Sequence, residues 1–364
     1  MENILEIKYD GKPCYDIVLE NDFKKLAYFL NQTGKKYQRI CIVSDTNVAS
    51  YYIDDVRDAL RDASGEITQF VFQAGEASKN LNVVEDLYES LIKAHFDRKD
   101  LLVALGGGVV GDMTGFAAAT YLRGIDFIQV PTSLLAMVDS SIGGKTGVDF
   151  RAFKNMVGAF HMPRLVYMNL SVLKSLPQEQ FKSGMGEVIK HGLIADRSYF
   201  DFLIKDREKI CDFDPDAILH VVKRSCEIKG AVVEEDPKEQ GIRATLNFGH
   251  TIGHAVEKLS KFSLFHGQCV AVGSVAAAYL SMKKGLILDS DYQLIRQVIS
   301  DYGLPVSVST DTYNADEILK TTKSDKKMQA GKIKFILLEQ IGKAVIDTSL
   351  TDADLLEGIN EILK

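Results

Sequence analysis

The sequence has no run of about 18 or more apolar residues, so we expect no membrane-spanning helix. Its first residues, MENILEIKYDGK, include early acidic residues and no apolar signal-peptide core, which predicts a cytoplasmic protein. The five cysteines form no CxxC pair, and their irregular spacing favours reduced, buried thiols. The net charge of −7 argues against a nucleic-acid partner, because contacts with a phosphate backbone need a basic face.

No proline- or serine-rich linker, internal repeat or low-complexity tract divides the chain, although 364 residues exceed one ordinary core. In the first half, apolar runs typical of buried strands (39–45, 66–72, 101–105 and 127–130) alternate with amphipathic stretches such as 78–96. The second half predicts helices over 179–194, 216–236, 245–259 and 268–285, then a hairpin of 333–338 with 344–347. We therefore predict an α/β N-terminal Rossmann-like domain with a mostly parallel sheet (1–168) and a mainly α-helical C-terminal domain (169–364).

A glycine-rich loop follows the third predicted strand, in LLVALGGGVVGD. Gly106, Gly108 and Gly111 fit the pattern G-x-G-x-x-G, which lets a pyrophosphate reach backbone N–H groups at the start of a helix. A tight turn is the alternative. The loop also departs from the standard dinucleotide-binding unit, where the pattern follows the first strand and an acid ends the next one.

Polar residues also follow the neighbouring strands. Asp45 ends one strand and could bind a ribose or cap the next helix. Glu76 and Lys79 follow the next strand, with a turn and helix start as the alternative, and Thr132 and Ser133 offer hydroxyls further on. Because ligands of open α/β sheets bind at the carboxyl ends of strands, these residues together predict a ligand site.

The stretch GGKT resembles part of a P-loop, but the first glycine of that motif is replaced by Asp139, which excludes a nucleotide triphosphatase. Lys145 and Lys154 lie in glycine-rich, weakly charged surroundings. We predict that they provide positive charge for an anionic substrate or cofactor, with solvated surface lysines as the alternative.

A candidate metal site lies in the second half. His250 and His254 are four residues apart on one face of a predicted helix, and no glutamate follows His250, which excludes the H-E-x-x-H motif. His266 and Glu187 would complete a set of imidazoles and one carboxylate typical of catalytic zinc. The alternative for each histidine is a packing residue bonded to a backbone carbonyl.

Basic and amide side chains lie between these candidate ligands, namely Lys190, Lys229, Arg243 and Asn247. Arg243 suits bidentate binding of a carboxylate. A surface ion pair with the acidic residues 234–236 is the alternative for that arginine.

In this order, GGGVVGD, PTSLLAMVDSSIGGKTG, GEVIKHG, GIRATLNFGHTIGHAVE and HGQ resemble the 3-dehydroquinate synthase family of sugar phosphate cyclases over nearly the whole chain. The resemblance implies a homodimeric lyase of the shikimate pathway that uses NAD and zinc or cobalt. It would convert 3-deoxy-D-arabino-heptulosonate 7-phosphate to 3-dehydroquinate and phosphate through oxidation, elimination, reduction and aldol closure. Another cyclase, making an inosose or a valiolone, and a metal-dependent polyol dehydrogenase are the alternatives.

The resemblance also assigns roles to residues. The implied metal ligands are Glu187, His250 and His266, whereas His254 would act on the substrate and its protons. The implied catalytic residues are Lys145, His254, Lys190, Asn155 and Arg123, the last donated across a dimer interface. The implied substrate contacts are Asp139, Lys145, Asn155, Lys190, Lys229, Arg243, Asn247, His254 and one of Lys326 and Lys327. The implied NAD contacts are Asp45, Gly75, Glu76, Lys79, Gly107, Gly108, Val109, Val110, Gly111, Asp112, Thr132, Ser133, Lys145, Lys154, Val172, Leu173, Lys174 and Ser175.

Two departures from the family pattern stand out. Relatives often read HPxGKN where this chain reads FRAFKN (150–155), but Lys154 and Asn155 are retained. Gly186 replaces a frequent alanine beside Glu187. We expect neither change to remove activity.

Overall fold

The computed structural model describes residues 3–151, 153–261, 263–324, 328–329 and 332–364. Lys326 and Lys327, predicted to contact substrate, lie outside the described residues. The chain forms two compact units, Met1–Leu176 and Pro177–Lys364. The predicted boundary near residue 168 would fall inside a strand of the first unit, Leu165–Asn169.

The first unit contains a seven-stranded sheet, a separate hairpin and four α-helices. Its strands are β1 (Ile4–Tyr9), β2 (Lys12–Glu20), β3 (Arg39–Asp45), β4 (Glu66–Phe72), β5 (Leu101–Gly106), β6 (Asp126–Pro131), β7 (Lys145–Phe150), β8 (Phe153–Phe160) and β9 (Leu165–Asn169). Its helices are α1 (Leu26–Gln32), α2 (Thr46–Ala59), α3 (Leu81–Lys93) and α4 (Gly108–Thr120). The sheet order is β1-β2-β9-β6-β5-β3-β4, and only β1 runs antiparallel to its neighbour, while β7 and β8 pair as a hairpin.

This architecture confirms the predicted α/β first half with a mostly parallel sheet. The strands β5 and β9 are buried along their whole length, as expected for parallel strands covered on both faces, which explains their continuous apolar sequence. The helix predicted over 78–96 is shorter because the side chain of Asn80 caps it, accepting hydrogen bonds from the backbone N–H groups of Asn82 and Val83.

The second unit is mainly helical, as predicted. Its helices are α5 (Gln178–Ala195), α6 (Arg197–Lys205), α7 (Arg207–Cys211), α8 (Pro215–Glu235), α9 (His250–Leu259), α10 (His266–Lys283), α11 (Asp289–Asp301), α12 (Ala315–Ser324) and α13 (Asp352–Ile362). Its strands form two antiparallel pairs, β10 (Met328–Gln329) with β11 (Lys332–Ile333) and β12 (Phe335–Gln340) with β13 (Lys343–Asp347). Across the described ranges, every helix is too short or too polar to cross a lipid bilayer.

The predicted helix over 245–259 is wrong at its start. Residues Ile242–Asn247 form a 3₁₀ helix, and α9 begins only at His250. The reason is Gly249, which takes a left-handed conformation (φ +77°) at the N-cap of α9 and interrupts helical geometry. His250 is therefore the first residue of its helix.

The cysteines are all free thiols, as predicted, but they are not all buried. Cys41, Cys226 and Cys269 are buried, whereas Cys14 is half-buried and Cys211 is exposed. The expectation of five buried thiols is therefore wrong for Cys211, which lies at the end of the short helix α7.

Glycines bring the helices α5, α9 and α10 into backbone contact. A Cβ on Gly267 of α10 would lie 1.7 Å from the carbonyl oxygen of Ser183 in α5. A Cβ on Gly273 would lie 1.9 Å from the carbonyl oxygen of Gly249, at the start of α9. A Cβ on Gly186 would lie 2.3 Å from the carbonyl oxygen of Gly267, so the glycine that replaces the family's frequent alanine is sterically required in this chain.

Substituting Gly267 by alanine tests this close packing. The added Cβ would collide with the backbone of Ser183, and we expect the free energy of unfolding to fall by about 1–3 kcal/mol. Denaturant unfolding of Gly267→Ala should show a lower midpoint. The matched control is Gly65→Ala, where the Cβ would be 3.8 Å from its nearest neighbour, and equal midpoints for the two variants would contradict the packing described.

Candidate active site

In the first unit, the register of the sheet aligns the predicted nucleotide-binding residues. Asp45 at the end of β3 pairs with Phe72 at the end of β4, and Gly106 at the end of β5 pairs with Pro131 at the end of β6. The backbone N–H of Thr132 also donates to the carbonyl oxygen of Gly106, at 3.0 Å. The polar residues that follow these four parallel strands therefore share one edge of the sheet.

The glycine-rich loop is both a tight turn and a helix start. A Cβ on Gly111 would lie 2.5 Å from Oε1 of Gln129, and one on Gly108 would lie 3.1 Å from Oγ of Ser140, so a side chain at either position would require its neighbour to shift. The N-cap of α4 is Gly107, and no side chain caps that end of the helix. The first N–H groups of α4 are thus suited to an anion from outside the chain.

Asp45 caps helix α2, which was the structural alternative for this residue. Its Oδ1 accepts hydrogen bonds from the backbone N–H groups of Asn47 and Val48, at 2.8 and 3.0 Å. Since both bonds use the same oxygen, Oδ2 can still accept hydrogen bonds from a ribose. The two interpretations of Asp45 are therefore compatible.

Lys79 joins two groups of predicted site residues. Its side chain is almost wholly buried, and its Nζ donates to Oδ2 of Asp112 at 2.7 Å and to Oδ1 of Asn155 at 2.6 Å. Burial opposes the ammonium charge, but the nearby carboxylates, chiefly that of Asp112, raise the pKa of Lys79 above its usual value. Lys79 is therefore cationic, and it links a predicted cofactor residue, Asp112, to a predicted substrate residue, Asn155.

The altered hairpin tip retains the predicted site residues of β8. Lys154 lies 3.5 Å from the carboxylate of Glu76, which connects two residues that the resemblance assigns to NAD. Asn155 has a left-handed backbone (φ +52°), and its N–H donates to Oδ1 of Asp149 at 2.8 Å. The departure in sequence at 150–155 therefore leaves Lys154 and Asn155 within the polar cluster around Lys79.

Four residues at the end of the first unit were also predicted to contact NAD. Val172 and Leu173 are buried within the 3₁₀ helix Leu170–Ser175, so only their backbone groups could reach a ligand. Lys174 is exposed, and the hydroxyl of Ser175 forms a hydrogen bond with that of Tyr52.

Three predicted catalytic or substrate residues lie elsewhere in the first unit. Lys145 is exposed at the start of β7, and Asp139 is partly exposed in the π-helical turn Ala136–Ser140. Arg123 is exposed at the end of a 3₁₀ turn, with a left-handed backbone (φ +68°). Among the described residues, no carboxylate forms an ion pair with Arg123.

In the second unit, the candidate metal ligands converge. Oε1 of Glu187, on α5, lies 3.4 Å from Nε2 of His266 and 3.6 Å from Nε2 of His250. The ring of His254 is 5.0 Å from that of His250 and 5.8 Å from that of His266, measured between centroids. The structure thus brings together all four residues that the sequence singled out for metal chemistry.

The buried carboxylate of Glu187 has the environment of a metal ligand. Neither of its oxygens accepts a hydrogen bond of normal geometry from the described residues, although the ammonium of Lys190 forms an ion pair with Oε2. Burial opposes ionisation, but Lys190 and His266 hold the pKa of Glu187 well below its usual range. A buried anionic carboxylate that faces two imidazole nitrogens fits a divalent cation such as Zn²⁺ or Co²⁺.

Hydrogen bonds at Nδ1 orient the two imidazoles that face Glu187. Nδ1 of His250 lies 3.1 Å from the carbonyl oxygen of Phe248, and Nδ1 of His266 lies 3.2 Å from Oε2 of Glu257. When Nδ1 donates these bonds, the lone pair of each Nε2 is free for a cation. The alternative of a histidine bonded to a backbone carbonyl holds for His250, and it is compatible with metal binding.

Sequence reasoning missed Glu257. A lone glutamate near a helix end belongs to no short motif, but its spacing from His250 (seven residues) and from His254 (three) places it on their face of α9. That shared face was the available signal. Burial alone would lower the pKa of His266, but the neighbouring carboxylates of Glu187 and Glu257 raise that pKa to about 10.

Two predicted substrate residues, Arg243 and Asn247, lie in the 3₁₀ helix that directly precedes α9 and its candidate metal ligand His250. Arg243 is only 2% exposed, and its Nη1 donates to the carbonyl oxygen of Pro237 at 2.6 Å. Nδ2 of Asn247 donates to Oε1 of Glu239 at 2.8 Å, and Lys229 is buried on α8. Lys229 and Arg243 are thus buried cationic side chains, as Lys190 is, and Asn247 is a partly exposed amide.

The carboxylate of Asp236 holds the backbone of residues 236–243 in a closed loop. Sequence reasoning also missed this role. It accepts backbone N–H bonds from Gln240 (2.8 Å), Gly241 (2.6 Å) and Arg243 (3.1 Å). Burial works against its ionisation, but these bonds and the charge of Arg243 hold the pKa of Asp236 below its usual value. Asp236 thereby fixes the backbone that carries Arg243.

Comparison with known proteins gives consistent matches. The family models of 3-dehydroquinate synthase match residues 69–183 (N-terminal) and 184–328 (C-terminal). The 3-dehydroquinate synthase of Acetivibrio thermocellus is 41% identical over 345 residues, which cover 95% of each chain.

Two solved structures share the fold over nearly their whole length. A 2-deoxy-scyllo-inosose synthase complexed with carbaglucose-6-phosphate, NAD⁺ and Co²⁺ has a TM-score of 0.89 at 26% identity and covers 99% of this chain and 100% of its own. The 2-epi-5-epi-valiolone synthase of Streptomyces hygroscopicus, with NAD⁺ and Zn²⁺ bound, has a TM-score of 0.88 at 25% identity and covers 98% and 99%.

Neutralising Asp236 tests the loop closure. In Asp236→Asn one acceptor oxygen remains in place of two, so we expect faster hydrogen–deuterium exchange at the amides of Gln240, Gly241 and Arg243. Because the folded pKa is lowered, the closure is complete above the pKa of an unfolded aspartate and is lost as pH falls through the folded value. Asp212→Asn, at an exposed position, is the control, and unchanged exchange in Asp236→Asn would contradict this role.

Proposed function

The chain belongs to the 3-dehydroquinate synthase family, and from this premise we propose that it converts 3-deoxy-D-arabino-heptulosonate 7-phosphate to 3-dehydroquinate and phosphate. The observation that carries the proposal is the convergence of buried Glu187 with Nε2 of His250 and His266 in the unit that also contains buried Arg243. Such a site combines a place for a divalent cation with positive charge for an anionic sugar derivative. The enzyme class is a carbon–oxygen lyase that eliminates phosphate.

Glu187, His250 and His266 would hold the cation, and His254 is then left for the substrate. A bound Zn²⁺ or Co²⁺ would supply polarisation of a substrate hydroxyl, and bound NAD⁺ would supply reversible hydride transfer. The two cyclase structures that share this fold contain NAD⁺ together with Co²⁺ or Zn²⁺. Lys190 forms an ion pair with Glu187 and so keeps that carboxylate anionic and fixed in position.

Protein side chains hold the two charged ends of the substrate. Arg243 and Asn247 suit the carboxylate, since a guanidinium can donate two parallel hydrogen bonds to it. Lys145, Lys190 and Lys229 supply further positive charge, with Asp139 and Asn155 as hydrogen-bonding partners. Fixing both ends keeps the flexible intermediate from drifting during elimination and ring closure.

His254 is proposed to hold and move a proton on the substrate. Its partly exposed ring lies beside those of His250 and His266, so the imidazole can reach a ligand bound at the cluster. The phosphate of the substrate is proposed to accept the proton that is lost on elimination, so a dedicated protein base is not required. His254 then assists the later proton transfers of ring opening and aldol closure.

NAD is proposed to bind along the carboxyl edge of the first unit's sheet. The N-terminal amides of α4 would bind its diphosphate, and Oδ2 of Asp45 would accept from a ribose hydroxyl. Thr132 and Ser133 contribute hydroxyls at the same edge, and Lys79 with Asp112 orders the adjoining cluster. NAD is thus proposed to bind to the first unit, and the metal to the second.

The alternatives differ from this proposal in measurable ways. A cyclase for a sugar phosphate that lacks a carboxylate would not need Arg243 and Asn247 to bind one. A polyol dehydrogenase would accumulate NADH, whereas the proposed reaction returns every hydride to the product. The homodimer and the cytoplasmic location remain predictions from the sequence and the resemblance.

The activity test combines phosphate release with detection of dehydroquinate, using purified protein with and without chelator and added NAD. We expect product only when cation and NAD are both present, with no net change in NADH absorbance. His250→Ala should lose bound metal and activity together, while His220→Ala, at an exposed position in the same unit, should keep both. Full activity of metal-free His250→Ala would contradict the proposal.

Arg123 is proposed to act in the partner's site, and mixing two inactive variants tests this. Arg123→Ala and Lys145→Ala subunits, exchanged to a statistical mixture, would restore one intact site in each heterodimer. We expect roughly one quarter of wild-type activity, because half of the dimers would be mixed and half of their sites intact. A mixture that stays inactive, with mixed dimers verified by differently tagged subunits, would contradict this role.

A further inference from the structure

We propose that Glu257 is a positioning residue that fixes the imidazole of His266 for cation binding, an inference that rests on the proposed metal site. Its Oε2 lies 3.2 Å from Nδ1 of His266, on the side of the ring opposite to Glu187. Glu257 itself is 5% exposed. The imidazole of His266 is thus held between two carboxylates, one at each ring nitrogen.

His266 needs this support more than the other two ligands do. The exposed fraction of its side chain is 29%, against 10% for His250 and 0% for Glu187. Because packing covers this ring less completely than it covers the other two ligands, a hydrogen bond at Nδ1 contributes more to its orientation. Glu257 is the residue that provides this hydrogen bond.

The fold fixes both ends of the interaction. Glu257 belongs to α9, and its backbone carbonyl accepts a hydrogen bond from Oγ of Ser260 at 2.7 Å. His266 is the first residue of α10, where the side chain of Gln268 accepts from the N–H of Phe265 at 2.9 Å. The contact therefore bridges two helices whose backbones are already set by capping interactions.

Glu257 also contributes charge. His250 is oriented by the neutral carbonyl of Phe248, whereas His266 is oriented by an acidic side chain. A carboxylate at Nδ1 makes Nε2 a stronger donor to a cation than a carbonyl does. Orientation and charge can be separated by substitution, because a glutamine keeps an acceptor oxygen and loses the charge.

The test measures Co²⁺ binding rather than activity. Metal-stripped wild type, Glu257→Gln and Glu257→Ala are titrated with Co²⁺ in competition with a chelator, and the visible absorption of the bound ion is recorded. We expect affinity to fall about 10-fold in Glu257→Gln and about 100-fold in Glu257→Ala, with an altered spectrum in the latter. Glu208→Gln, an exposed glutamate of the same unit, is the matched control and should bind as wild type does.

The outcomes separate a positioning role from a structural one. If Glu257 only stabilised the helices, the variants would unfold more easily without metal but bind Co²⁺ with wild-type affinity and spectrum, which would overturn the proposal. Should Glu257→Ala not fold, Glu257→Gln decides, since it conserves volume and an acceptor.

His266→Ala separates this proposal from the proposed function. If wild type binds Co²⁺ through His266 and the Glu257 variants match it, only the positioning role fails. If loss of His266 leaves Co²⁺ binding unchanged, the metal site fails, and the role of Glu257 fails with it.

Discussion

The candidate metal site depends on the backbone contacts that glycines allow between α5, α9 and α10. A side chain at Gly267 or Gly186 would push α10 away from α5, and one at Gly273 would push α10 away from α9. These helices carry Glu187, His250 and His266, whose ligand atoms must lie within a few ångströms to share a cation. Helix packing of this kind, rather than any one hydrogen bond, brings residues distant in sequence to one point.

The second unit buries positively charged side chains although the whole chain carries a net negative charge. The chain has a formal net charge of −7, yet Lys190, Lys229 and Arg243 are all buried. Burying charged groups costs free energy unless partners offset it, as Glu187 does for Lys190 and as the backbone carbonyl of Pro237 does in part for Arg243.

The sequence predicts the elements well and the details of the site less well. Continuous apolar strands such as Leu101–Gly106 were recognisable because both of their faces are buried. The start of α9 was not, because the left-handed conformation of Gly249 is decided by close packing against α10 rather than by local pattern. Spacing alone could not choose between His254 and Glu187 as a ligand, and it gave no role to Glu257. Such contacts across helices depend on tertiary structure, which no short motif encodes.

The most direct test of the central claim is a crystal structure of the zinc-loaded protein with anomalous data collected at the zinc edge. We expect one strong peak within about 2.0–2.2 Å of Nε2 of His250, Nε2 of His266 and a carboxylate oxygen of Glu187. A peak coordinated by His254 in place of Glu187, or three side chains that do not share an ion, would contradict the site described above.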